Sequence, residues 1–313
     1  MKPTIGLWCE YPNNATAKDA NHVAETTAYF KSITNFIVKN GINRLVFRLQ
    51  CPEPPRRWQT AEECWEQIVK PFPLYSLDST DPSTLSWFIN QPEMKDVETW
   101  LLPYQDKWSG YSTIPHYQEP GSGPWTPATW EALAISDFKL VASLVDFFNS
   151  KQPNKKVHGI VIESENTTLQ GSEEQKLSTV FSNLPPTSLL YAATGGPNVS
   201  IEHDSASPKW GPPPSCSHFF PQWYWIGAMS DYSSGNTSDL LSAIQKKVPA
   251  DKSFSNANYT AMFSCEPDFF GNGKWPFSKF MDFLTEFKNS EYQTSDFMIF
   301  QANFLKDPAH WMP

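Results

Sequence analysis

Two glutamates, Glu163 and Glu165, end an apolar run in the segment Val157-His158-Gly159-Ile160-Val161-Ile162-Glu163-Ser164-Glu165-Asn166. Residues 157–162 read as a strand, in which alternate residues face the same way. Val161, Glu163 and Glu165 therefore share a face, and two carboxylates so placed do not ionise independently. Their repulsion raises the pKa of one of them, which suits a general acid near neutral pH. The plainer alternative is that both glutamates are solvated at the mouth of the fold or balance Arg48.

Such a pair works only if the fold brings other polar groups beside it, so the elements around it matter. Short apolar runs alternate with helical patterns along the whole chain. Strands are expected at Ile5–Cys9, 44–49, 99–103, 157–162, 188–193, 219–225, 258–264 and 297–303. Helices are expected at Ala20–Asn40, with Ala24, Ala28, Phe30, Ile33, Phe36 and Ile37 on one side and Gly41 as its stop. Further helices are expected at 83–90, 127–149, 173–184, 238–247 and 277–289. Residues 51–77, 105–124 and 195–217 read as long loops rich in Pro, Gly and polar residues. Eight strands separated mainly by helices predict an α/β fold, a single (β/α)8 TIM-type barrel domain over residues 1–313 with long loops at its C-terminal face. An open doubly wound sheet is the competing layout, and no Gly-rich phosphate turn opens any helix to support it.

Barrel enzymes build their sites at the carboxyl ends of the strands. There the chain offers Glu10, Arg48, Gln50, Tyr104, Asp106, Glu163, Glu165, Gln222, Tyr224, Glu266, Gln301 and Asn303, with Trp8 on the first strand. The set is rich in carboxylates and amides and poor in histidine. The six His are scattered, so neither a His-cluster metal site nor any other metal or organic cofactor is expected. No Gly-x-Ser-x-Gly elbow is present for Ser-His-Asp chemistry. Carboxylates, amides and tyrosines among tryptophans are what glycoside chemistry needs. The 13 Trp, 22 Phe and 11 Tyr are enough to line a cleft as well as a core, and each ring serves one or the other.

The formal charge of -9 repels phosphate backbones, no block of Lys or Arg reverses it and Arg56-Arg57 is an isolated pair, so nucleic acid is not an expected partner. No apolar run approaches the roughly 20 residues of a membrane span. The start, Met-Lys-Pro-Thr-Ile-Gly-Leu-Trp, runs straight into a strand and shows no secretory leader. A cytosolic protein, one with its leader removed and one exported by another route all fit. The five Cys lack zinc spacing; Cys51 and Cys64 flank one loop and pair only if exported, buried free thiols being the plainer reading. Asn-x-Ser/Thr sequons at Asn14, Asn166, Asn198, Asn236 and Asn258 carry no weight in so Asn-, Ser- and Thr-rich a chain. The expected partner is an oligosaccharide or polysaccharide substrate, met by a monomer.

The segment ending in Glu165 resembles the signature of glycoside hydrolase family 18, the chitinases and endo-β-N-acetylglucosaminidases, roughly Asp-Gly-x-Asp-x-Asp-x-Glu. Aligned on Gly159, the final acid falls on Glu165 and the residue that orients the substrate's N-acetyl group on Glu163. The inner Asp falls on Val161 and the leading Asp on His158. The Gly and the final Glu match; Glu163 is one methylene longer, and Val161 carries no carboxylate. Gln222-Trp223-Tyr224 is similar to the Gln-x-Tyr of plant-type chitinases, which implies that Tyr224 bonds the N-acetyl carbonyl and Gln222 makes a polar contact. The family's eighth-strand Trp has no counterpart in Phe300-Gln301-Ala302-Asn303, leaving Trp8, Trp108 and Trp125 as candidates for the subsite floor. The resemblance implies hydrolysis with Glu165 as acid and the substrate's own N-acetyl oxygen as nucleophile. Two other readings stay open. One is a retaining glycosidase with Glu165 as acid and Glu266 as nucleophile. The other is a non-catalytic carbohydrate-binding barrel.

Overall fold

The computed structural model describes residues 5–9, 20–50, 60–104, 127–163, 189–195, 217–221, 258–264, 285 and 297–301. Strand β2 (Arg44–Gln50) separates inside from outside by its alternation. Its Leu45, Phe47 and Leu49 are buried, and Phe47 meets Phe88 edge-on at 5.6 Å, under the helices. Its Val46 belongs to an apolar cluster with Trp100, Leu102, Val161, Ala192, Phe220 and Met262, contributed by five other strands. A period of two on a strand buried on both sides produces this split.

The remaining strands are β1 (Ile5–Cys9), β3 (Glu98–Tyr104), β4 (Gly159–Glu163), β5 (Leu190–Gly195), β6 (His218–Pro221), β7 (Asn258–Tyr259), β8 (Ala261–Ser264) and β9 (Phe297–Gln301). All pair in parallel, in the order β7-β6-β5-β4-β3-β2-β1-β9-β8. The fold is thus α/β, a parallel sheet with helices between its strands. The strand expected at 258–264 is two pieces parted by Thr260: β7 pairs with β6 at one end of the row, and β8 pairs with β9 at the other. Of the strands expected at 219–225 and 297–303, residues 218–221 and 297–301 are strand, and the rest lie outside the described residues. The helices expected at 173–184 and 238–247 lie outside them too, as does 277–289 except for helical Thr285.

Helix α1 (Ala20–Asn40) has the predicted ends. Its buried side is Thr26, Tyr29, Phe30, Ile33, Phe36 and Ile37, spaced by three and four. Ala24 and Ala28, expected on that side, are exposed, because Thr26 and Tyr29 turn the stripe away from them. Gly41 follows with φ +64°, and Ile42 N–H reaches back to the Ile37 carbonyl at 3.0 Å, a Schellman stop. A Cβ on Gly41 would meet nothing within 4 Å, so Gly41→Ala tests the backbone alone. We expect a loss of about 1 kcal/mol in urea unfolding at an unchanged slope.

The loop expected at 51–77 instead contains α2 (Ala61–Val69) and a 3-10 turn, Pro73–Tyr75. Thr60 and Glu63 form a capping box: the Thr60 hydroxyl accepts the Glu63 N–H at 3.1 Å, and the Glu63 carboxylate accepts the Thr60 N–H at 3.2 Å. Trp65 is fully buried, donates to the Tyr75 carbonyl at 3.1 Å and packs at 5.1 Å from Phe148 of α4 (Pro127–Ser150). Trp65 and Trp100 are therefore core rings, not cleft rings. Cys64 is a buried free thiol. A shorter helix, α3 (Leu85–Ile89), occupies the stretch expected at 83–90, with Thr84 accepting the Trp87 N–H at its start.

Candidate functional site

The carboxyl ends of β2, β3 and β4 are Gln50, Tyr104 and Glu163, three residues expected to face a substrate. Gln50 pairs with Tyr104, and β3 pairs with β4 through Trp100–Gly159 and Leu101–Ile160, nearer the amino ends of both strands. Glu163 in turn pairs with Thr194 of β5. Each of the four stands two residues beyond a strand neighbour on or in phase with the interior cluster, which includes Leu102, Val161 and Ala192. Thr194 was not anticipated; it is fully buried, and its hydroxyl donates to the Phe220 carbonyl at 2.7 Å, tying β5 to β6. A buried hydroxyl on a short strand gives no sequence signal to separate it from any other threonine.

Across the row, Trp8 pairs with Val46 on one side and Phe300 on the other, and Gln301 pairs with Cys9. These positions belong to the same ends of the same sheet. Glu10, Glu165, Gln222, Tyr224, Glu266 and Asn303 lie outside the described residues, as do Asp106, Trp108 and Trp125. Arg48 is half-buried and in phase with Val46, hence on the interior side of β2. Its carbonyl accepts the Tyr75 hydroxyl, which fastens the 3-10 turn to the upper part of that strand.

Val161, at the position of the signature's inner carboxylate, is fully buried among Val46, Trp100, Leu102, Ala192, Phe220 and Met262. The layer beneath the strand ends is apolar at this point, and a charge there would carry a heavy desolvation cost. His158, at the signature's leading position, is exposed at the opposite end of β4. Its Nδ1 accepts the Thr99 N–H at 3.2 Å while its backbone N–H donates to the Thr99 carbonyl at 2.7 Å. Its pairing with β3 is structural.

At the amino ends of the strands lies a part-buried ion pair. Arg44 is buried, and its Nε donates to Glu98 at 2.8 Å and its Nη1 to Thr260 at 3.2 Å. The guanidinium lies 5.9 Å from the Trp100 ring centre and 5.5 Å from that of Phe220. Burial by itself would raise the Glu98 pKa; the charge and hydrogen bond of Arg44, with smaller help from Trp100 and His158, outweigh it and hold the carboxyl below its usual range. Burial pushes the Cys64 thiol up to about 12 and the Cys9 thiol well above its usual value, so neither is a nucleophile near neutral pH. Among the described residues no group of three or more His, Cys, Asp or Glu is placed to hold a metal ion, and no helix is long and apolar enough to cross a membrane.

No family model matches the sequence, and no curated protein does. Solved structures do resemble the fold. A GH5_18 protein from Bifidobacterium longum subsp. longum matches with a TM-score of 0.57 at 10% identity, over 96% of this chain and 70% of that one. An alanine variant of the same protein, solved in complex with Manβ1-4GlcNAc, matches with a TM-score of 0.56. A GH18 chitinase from Pseudoalteromonas aurantia matches at 0.49 and 13% identity, over 98% of this chain and all of that one. An endo-β-N-acetylglucosaminidase from Cordyceps militaris matches at 0.46 and 13% identity, over 99% and 88%. At these identities the likeness is one of fold alone and does not say what the chain does.

Proposed function

We propose that the chain is one barrel domain that hydrolyses N-acetylglucosamine-containing glycans, with Glu165 as the general acid. The observation that carries the reading is that Gln50, Tyr104 and Glu163 are the carboxyl-terminal residues of three adjacent parallel strands. Closure of the barrel through 258–264, whose two pieces pair with opposite ends of the row, belongs to the same proposal. Glu165 follows Glu163 by one strand period. It protonates the glycosidic oxygen, while the substrate's N-acetyl oxygen attacks the anomeric carbon. Glu163 and Tyr224 hold that amide. Glu10, Gln50, Tyr104, Gln222, Gln301 and Asn303 bind hydroxyl groups, and Trp8 offers a ring to a sugar face. The enzyme acts as a monomer and needs no metal or organic cofactor. The Manβ1-4GlcNAc complex of the Bifidobacterium fold relative supports an N-acetylglucosamine-bearing ligand.

The apolar surroundings of Val161 favour a second reading, in which no acid is required at that position. Glu165 is again the acid, and Glu266 is the nucleophile, with the carboxyl groups about 5–5.5 Å apart. Turnover of chromogenic chitobiose and chitotriose substrates separates the readings. In both, Glu165→Gln lowers kcat/KM at least about 100-fold. Glu266→Gln does the same only in the second, and leaves the first near wild type if Glu266 only contacts substrate. Sugar binding without turnover in any of the proteins identifies a carbohydrate-binding barrel. Absence of binding to any glycan rejects the reading altogether.

A further inference from the structure

At the amino ends of β3, β4 and β5, opposite the candidate site, lies an open groove of about 960 Å³. Its walls are the turn after α3, the turn from α4 into β4, and the start of β5. Hydrogen bonds engage the amides of Asn149 and Asn90 in its wall. Asn149 brackets Val157, accepting its N–H at 2.7 Å and donating to its carbonyl at 3.0 Å. Asn90 accepts the Lys155 N–H at 3.1 Å and donates to the Ser86 carbonyl at 2.8 Å. The Lys155 ammonium is held by the carbonyls of Val97 at 2.5 Å, Lys95 at 3.0 Å and Met94.

The charged and titratable side chains that line the groove are three lysines and a histidine. Lys95 and Lys156 line it and are exposed. His158 lines it with Nδ1 engaged by the Thr99 N–H, so the neutral ring carries its proton on Nε2 as a donor. Burial lowers the pKa of that ring, against the opposing charge of Glu98 and with smaller help from Lys155 and Arg44, and keeps it neutral near pH 7. Asp96 and Asp146 are close enough to act on Lys155 and Lys156, Glu98 is bonded to Arg44, and none of the three carboxylates lines the groove. Cations and N–H donors therefore gather in one concavity of a chain whose formal charge is -9. The volume exceeds that of a lone ion and falls in the range of small-molecule sites.

From this arrangement we infer that the groove is a binding site for a small polyanion, a ligand carrying a diphosphate or clustered carboxylates, with Lys95, Lys156 and His158 as its contacts. The site is separate from the strand ends that carry Glu163, and its test does not depend on turnover. Titration calorimetry of the full chain with pyrophosphate and with citrate, at low and high salt, reads it directly. Pyrophosphate binding alone identifies phosphate as the recognised group, citrate binding alone identifies carboxylates, and either is expected to weaken with salt. Lys95→Glu combined with Lys156→Glu is expected to weaken binding at least about tenfold. Lys31→Glu combined with Lys39→Glu changes the net charge equally at two exposed positions of α1 that do not line the groove, and is expected to leave binding unchanged. Absence of saturable binding below about 10 mM of either probe overturns the inference. So does equal weakening by the two double variants, which would reduce the effect to overall charge.

Discussion

Gly159→Ala is expected to cost at least about 3 kcal/mol and to leave little folded protein at physiological temperature. A Cβ there would stand 2.3 Å from the Leu190 carbonyl oxygen and 2.5 and 2.7 Å from two carbons of the Trp100 ring. Neither neighbour can yield. The carbonyl belongs to β5, whose register with β4 pairs Gly159 with Leu190. The Trp100 ring is fully buried and packed against His218 at 5.0 Å and Phe220 at 5.9 Å. Relief requires β4 and β5 to part or Trp100 to leave the core, and either displaces the end of β4 where Glu163 stands. Thermal unfolding of the purified variant checks this: an unchanged Tm with normal solubility would show that the strands have room that the packing denies. Gly41→Ala supplies the contrast, since there the added methyl meets nothing and the cost is one of backbone conformation.

Arg44→Met is expected to lose about 2–3 kcal/mol at neutral pH. It removes the donor to Glu98 and to Thr260, and with it the cation beside the Trp100 and Phe220 rings. The figure lies below that of a fully buried pair because the Glu98 side chain is 40% exposed and water can reach the abandoned carboxylate. The pH dependence identifies the cause. The folded pKa of Glu98 is depressed, so its contribution is present above the unfolded value and is lost as pH falls through the folded one. The gap between wild type and Arg44→Met should therefore narrow in urea titrations at about pH 3 relative to pH 7. Placed in a Glu98→Gln background, the same substitution should show a gap that changes little with pH. A gap of constant size in the Glu98-containing pair would assign the whole effect to packing.

Much of this protein is readable residue by residue. The three-and-four spacing of Phe30, Ile33, Phe36 and Ile37 and the glycine after Asn40 delimit α1, because helix burial and helix termination are local properties. Alternation with short apolar runs marks the strands for the same reason, and it places Glu163 at a strand end. The capping box at Thr60 and Glu63 was equally legible, but α2 is only nine residues long, and the prolines and tryptophans around it read as loop. Its anchor, Trp65 on Phe148, joins residues far apart in the chain.

Tertiary structure alone decided the rest. Gly159 reads as part of a signature, yet its necessity comes from Trp100 and Leu190, which reach it only through strand register. Arg44 finds Glu98 54 residues away and Thr260 216 residues away, a pairing no local window contains. That Gln50, Tyr104 and Glu163 end neighbouring strands likewise depends on how the parallel strands are ordered in the sheet. Local sequence determines which residues end each strand. Which of those ends stand side by side is set by hydrogen bonding between strands and by packing across the sheet.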